Sequence, residues 1–204
     1  MRVVGLFSVS QAARKGDAGA QTQLGRCYEL AIGVETNVTE AARLYSQAAD
    51  QGFAEAQLKL GRCYEAGRGV DVDARAALTL YKAASAAGLA AATHRLGRCY
   101  EEGGGVEVDF TRATALYVEA VRGGDADAHE SLGQCFALGR GVEQDCAQAQ
   151  VSCIKGGPNG WTRTRKSVGK SQVHDSRASF VHAASFLRCL GCEAGRGWCV
   201  GGHQ

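Results

Sequence analysis

The chain has 204 residues, 45% of them apolar and 22% charged, with 28 glycines, one proline and a formal net charge of +2. That length suits one ordinary domain or a short array of repeats. No stretch approaches the roughly 18 apolar residues of a membrane-spanning helix, and the opening MRVVGLFSV is too brief an apolar run for a signal peptide, so a cytoplasmic protein is expected.

Residues 1–16 read as half of something. Ser10-Gln11-Ala12-Ala13 stands 36 residues before Ser46-Gln47-Ala48-Ala49, which makes this stretch the second half of a helical hairpin whose first helix is missing. Its apolar face is then left for Val3, Val4, Leu6 and Phe7 to fold over, unless the chain is a fragment of a longer protein or something else covers it.

Residues 17–155 are organised around the hexapeptide LGRCYE, which begins at Leu24, Leu60 and Leu96 and returns as LGQCFA at Leu132, each start 36 residues after the last. A fixed period of roughly 20–50 residues is the signature of stacked repeats. Within the second copy, Ala56, Leu60, Cys63 and Tyr64 share one face of a helix, and Ala77, Leu80, Tyr81 and Ala84 share one face of another. Asn37, Asp73, Asp109 and Asp145 recur where the second helix should begin, as N-caps. Gly16, Gly52, Gly88 and Gly124 recur where it should end, and Gly33, Gly69, Gly105 and Gly141 precede valine in the intervening loop. The first copy has Ala31 where the second has Gly67, so its loop is expected to close differently. Gly25, Gly61, Gly97 and Gly133 fall inside the first helix, where glycine costs about 1 kcal/mol against alanine. The return expected for that cost is close approach of a neighbouring helix backbone.

The fourth copy decays: Cys153 replaces the second-helix tyrosine and Gly156 an alanine. Charge changes there as well. Residues 1–154 carry 15 Lys+Arg against 19 Asp+Glu, whereas residues 155–204 carry 8 against 2. Gly156 to Gln172 is polar, basic and rich in helix breakers, which predicts disorder, and Ala178 to Leu190 predicts one short helix. Residues 156–204 are therefore expected to be a poorly ordered basic tail.

This assembly resembles the Sel1-like repeat: an alanine, then LG, an aromatic, a GxGV loop, an Asp, and a second helix ending AAxxG, quoted most fully from Ala54 to Gly88. Tetratricopeptide repeats share the hairpin but run about 34 residues. The resemblance implies an all-α fold, a right-handed α-α superhelix (solenoid) whose first helices line a concave surface. It implies a protein–protein interaction adaptor or scaffold that binds a protein or peptide on that face. No Asp or Glu pair stands out as an acid/base dyad, and His94, His129, His174, His182 and His203 are scattered without ligand or triad spacing, so no catalytic residue and no cofactor are expected. Cysteine-rich bacterial members staple each hairpin with paired cysteines and are linked to β-lactam binding, so a β-lactam-binding hydrolase is the alternative. Cys27, Cys63, Cys99 and Cys135 occur singly, one per repeat, and read as buried apolar side chains in a reducing compartment rather than as disulfides.

Two charged rows run along the first helices: Arg26, Arg62 and Arg98, and three residues on Glu29, Glu65 and Glu101. They read either as i, i+3 pairs on a solvated face, each contributing about 0.2–0.5 kcal/mol, or as a ladder that grips a partner. On the second reading the protein-binding residues are Arg26, Arg62 and Arg98 with Gln57, Lys59, Arg95 and His129, and phosphate or carboxylate groups suit them. Tyr28, Tyr64, Tyr100 and Phe136, with Tyr45, Tyr81 and Tyr117, are assigned to the core. Cys189, Cys192, Cys199 and His203 form C-x2-C-x6-C-x3-H, a candidate zinc set whose first half is a good knuckle and whose second half matches no zinc module, so no metal is assigned. Arg163, Arg165, Lys166 and Lys170 could tether nucleic acid by charge alone, but no aromatics interleave them, so a nucleic-acid tether stands as a further alternative behind the adaptor.

Overall fold

The helices begin and end where the punctuation dictates. The computed structural model describes residues 2–155: α1 (Arg2–Arg14), α2 (Ala18–Leu30), α3 (Val38–Ala49), α4 (Ala54–Ala66), α5 (Ala74–Ala86), α6 (Ala90–Glu102), α7 (Phe110–Arg122), α8 (Ala126–Leu138) and α9 (Cys146–Lys155), with no strand among the described residues. Expectations for the basic tail, including the cysteine–histidine set Cys189, Cys192, Cys199 and His203, lie outside them. The chain divides into two compact units, residues 1–128 and 129–204.

In the first unit α2–α3, α4–α5 and α6–α7 pack as hairpins, and α3 packs on α4, and α5 on α6, to join one hairpin to the next. At the N-terminus α1 packs on α2 as α3 does on α4. Leu6 of α1 is half-buried, but Phe7 is 65% exposed and so does not fold over the helix as a cap. In the second unit Ala137 and Ala149 are buried, with Phe136 and Leu138 against them.

All four expected N-caps form. Asn37 accepts from the Glu40 N–H at 3.0 Å, Asp73 from Arg75 and Ala76 at 2.9 and 3.0 Å, Asp109 from Arg112 at 2.9 Å, and Asp145 from Ala147 and Gln148 at 2.9 and 3.0 Å. Each carboxylate or amide oxygen satisfies amides that have no partner inside their own helix.

The first loop closes like the others, against expectation. Ala31 follows α2 in the left-handed region at φ 56°, ψ 38°, and its N–H reaches the Cys27 carbonyl as the N–H of Gly67 reaches that of Cys63. The Ala31 bond, with those of the Ile32 N–H to the Cys27 carbonyl at 2.9 Å and of the Asn37 N–H to the Tyr28 carbonyl at 3.1 Å, outweighs the crowding of one alanine Cβ, about 1–2 kcal/mol. Because the side chain at this position is exposed, Ala31→Gly removes that crowding and loses nothing in packing. Against it stands the extra freedom of an unfolded glycine, about 0.4–1 kcal/mol. A net gain of roughly 0.5–1 kcal/mol is expected in urea unfolding.

The core is a set of repeated rings. Tyr45, Tyr81 and Tyr117 on the second helices are 0% exposed. A Cβ added at Gly25, Gly61 or Gly97 would lie 2.8, 2.5 or 2.6 Å from the ring of Tyr45, Tyr81 or Tyr117 respectively. The mid-helix glycines therefore make room chiefly for a tyrosine ring; backbone approach is the lesser part, with the Ala41 and Ala113 carbonyl oxygens 3.2 and 3.3 Å from the added atom. Of the first-helix aromatics, Tyr100 is buried, while Tyr28, Tyr64 and Phe136 are half-buried.

Candidate functional site

The wall formed by α2, α4 and α6 is set by what the buried tyrosines do with their hydroxyls. Tyr45 donates to Glu29 at 2.9 Å, Tyr81 to Glu65 at 2.6 Å and Tyr117 to Glu101 at 2.6 Å, each pair within one hairpin and 16 residues apart. Burial first, and the facing carboxylate second, push the Tyr45 and Tyr81 phenols well above their ordinary pKa, so both remain proton donors.

Two of these glutamates also reach the next hairpin. Glu29 meets Arg68 at 3.1 Å and Glu65 meets Arg95 at 3.7 Å. The i, i+3 pairing of Arg26 with Glu29 and of Arg62 with Glu65 does not form. Among the described residues Arg26 and Arg62 are exposed and make no hydrogen bond or ion pair, whereas Arg98 pairs with Glu102 at 2.6 Å. Lys59 is half-buried on the same helix as Arg62.

The remaining sequence-derived residues have other settings. Gln57 turns its amide inward, its Nε2 donating to the Ala49 carbonyl at 3.5 Å and its Oε1 buried without a partner. The equivalent Gln21 differs because its Oε1 accepts from Gln51 Nε2 at 2.9 Å; one period on from Gln51 stands Ala87, which has no donor to offer. His129 is half-buried on α8 in the second unit. The repeated cysteines form no disulfide. Burial raises the thiol pKa of Cys63 and pushes that of Cys99 to about 11, which makes both poor nucleophiles at neutral pH. No group of three or more His, Cys, Asp or Glu could hold a metal among the described residues.

His94 was not singled out by spacing. It is 8% exposed, lies edge-on to Tyr117 with ring centroids 5.5 Å apart, and places Nδ1 3.5 Å from Asp125. Burial lowers its pKa below the ordinary histidine value, and the opposing pull of Asp125 is the smaller effect. A histidine with a lowered folded pKa contributes stability that is present above about pH 6.5 and lost as pH falls through the folded pKa. Below pH 6.5 the full chain should lose stability by up to about 1.4 kcal/mol per pH unit from this group. His94→Gln should flatten that part of the melting temperature profile between pH 7.5 and 5.5; an unchanged slope would show that other groups set it.

A family model described as Sel1 repeat matches residues 18–53, 54–89, 90–125 and 126–150. The fold is similar to the crystal structure of a Sel1 repeat protein from Oxalobacter formigenes, with TM-score 0.71 and 28% identity over 91% of this chain and 76% of that one. It is also similar to a protective antigen present in uropathogenic Escherichia coli strains and displaying an SLR fold, with TM-score 0.69 and 25% identity over 91% of this chain. The match spans 40% of that antigen's length. Comparison with curated protein sequences gave no match.

Proposed function

We propose, from the premise that this chain belongs to the Sel1 repeat family, that it is an adaptor which binds another protein or peptide along the wall of α2, α4 and α6. Members of the family generally serve as protein–protein interaction scaffolds. The observation that supports the wall as the binding surface is the division of labour in each hairpin. The ring pocket, the caps and the Tyr–Glu bond occupy one set of positions, which leaves the row of Gln23, Lys59 and Arg95 and the row of Arg26, Arg62 and Arg98 able to vary without disturbing the core. Stacking such hairpins lines up equivalent side chains and offers an extended contact surface. The chain holds its partners and performs no chemistry on them.

Site-specific photocrosslinking tests this. A benzoylphenylalanine at Gln23, exposed on α2, should give discrete protein adducts in cells, and the same group at Thr79, exposed on α5, should not. Equal labelling from both positions, or none from either, would remove the wall as the binding surface.

A further inference from the structure

We infer that the partner segment this wall takes is an extended anionic peptide, carrying a carboxylate or phosphate at about every third residue. The inference rests on the reading of the wall as a protein-binding surface and adds the chemistry of what binds there. Its starting point is where the wall's negative charge goes. Glu29, Glu65 and Glu101 should neutralise the arginine row, but each accepts a tyrosine hydroxyl from its own hairpin instead. Glu29 and Glu65 spend what charge remains on Arg68 and Arg95 of the following hairpin.

Arg26 and Arg62 are left exposed with neither hydrogen bond nor ion pair among the described residues, and Lys59 stands one turn from Arg62 on the same face. Arg98 continues the row; it pairs with Glu102, whose side chain is 57% exposed, and is drawn as well by the charge of Glu65. A surface pair of that kind contributes about 0–1 kcal/mol and exchanges readily for an incoming anion. The charge is local: residues 1–154 carry four more acidic than basic groups, yet this row is uniformly cationic.

Spacing sets the form of the ligand. Equivalent side chains on stacked helices repeat at about 8–10 Å, and an extended chain advances about 3.3 Å per residue. One anionic side chain in every three thus meets Arg26, Arg62 and Arg98 in turn. Guanidinium binds carboxylate and phosphate through the same paired N–H donors, so both sources satisfy the row.

The full-length protein and fluorescein-labelled peptides test the inference by anisotropy. The probes are five repeats of Glu-Ser-Ser, the same with phosphoserine for Glu, and the same with Gln for Glu. Both anionic peptides should bind at least tenfold more tightly than the Gln peptide at about 50 mM salt, and the tighter of the two identifies the source. The double variant Arg26→Glu with Arg62→Glu should abolish that preference. A second variant, Arg75→Glu with Lys82→Glu, changes net charge equally on the exposed face of α5 and should keep it. Since the basic residues 155–204 are present in every protein compared, their contribution cancels. Equal losses in the two variants, or no preference for the anionic probes, overturns the inference. If the Gln23 crosslinks persist in the Arg26→Glu, Arg62→Glu protein, the wall survives as the binding surface while the anionic partner does not; if they never form, the wall itself has failed as the binding surface.

Discussion

Tyr81→Ala is expected to destabilise the array by about 3–5 kcal/mol in urea unfolding, the range for truncating a buried aromatic. The ring is 0% exposed and its hydroxyl is bonded to Glu65 at 2.6 Å. Tyr81→Phe separates the two contributions. It keeps the ring and loses only the hydrogen bond, about 1–2 kcal/mol, because Glu65 is partly solvated and retains Arg95. The facing glycine gives the sharper result. In the native background Gly61→Ala places a Cβ 2.5 Å from a ring that has nowhere to go. Overpacking of about 1–3 kcal/mol then exceeds the helix propensity gain of about 1 kcal/mol. In the Tyr81→Ala background the ring is gone and the same substitution should stabilise by about 1 kcal/mol. A change of sign across the double-mutant cycle is the required outcome. Two additive destabilisations would mean that the glycine is kept for some other reason.

Gly69→Ala should be the most damaging change at the surface of the array, by about 3 kcal/mol or more. Two costs combine. At φ +75° an alanine carries the left-handed penalty of about 1–2 kcal/mol. Its Cβ would also collide with the Val38 carbonyl group and the Thr39 nitrogen at the start of α3 in the preceding hairpin. Those are backbone atoms, so no rotamer relieves the contact and the two hairpins must separate locally. Gly67→Ala is the control. Its φ is +65°, but the added Cβ meets only Val72, whose side chain is 68% exposed and can turn away. It should cost about 1–2 kcal/mol, the left-handed penalty alone, and the difference between the two variants measures the seat of one hairpin on the next. Equal costs would show that the seat contributes nothing.

Much of this was legible from one chain because each physical requirement is posted at a fixed interval. N-caps, loop glycines, helix ends and the family follow from residues such as Asp73, Gly69 and Gly88 standing in register. Of the two readings of the charged rows, the i, i+3 pairing of Arg26 with Glu29 and of Arg62 with Glu65 fails for a physical reason. Local spacing on one helix matches Arg62 with Glu65, whereas the hydroxyl of a ring buried from the next helix competes better for the same carboxylate. A signal for that bond does exist within the chain. In the fourth repeat the tyrosine position holds Cys153 and the glutamate position holds Ala137, so the two partners disappear together. Ala31 misled because a non-glycine residue argues against a left-handed cap, while the carbonyls awaiting donors at the end of α2 favour one more strongly. His94 could not have been found by period at all. Its counterparts Thr22, Leu58 and Glu130 share no chemistry with it, and its burial and its tie to Asp125 arise only once α6 is in place.

The seat described at Gly69 is duplicated at Gly105, where an added Cβ would meet the Ala74 carbonyl oxygen and the Arg75 nitrogen at 2.7 and 2.9 Å. Two successive joints are thus cut to one pattern. Deleting or duplicating a segment of 36 residues in frame would bring together surfaces already matched to each other, with no new complementarity to evolve. Length is then a quantity that recombination can adjust in whole steps, and the row of Arg26, Arg62 and Arg98 shortens or extends by one position at each step.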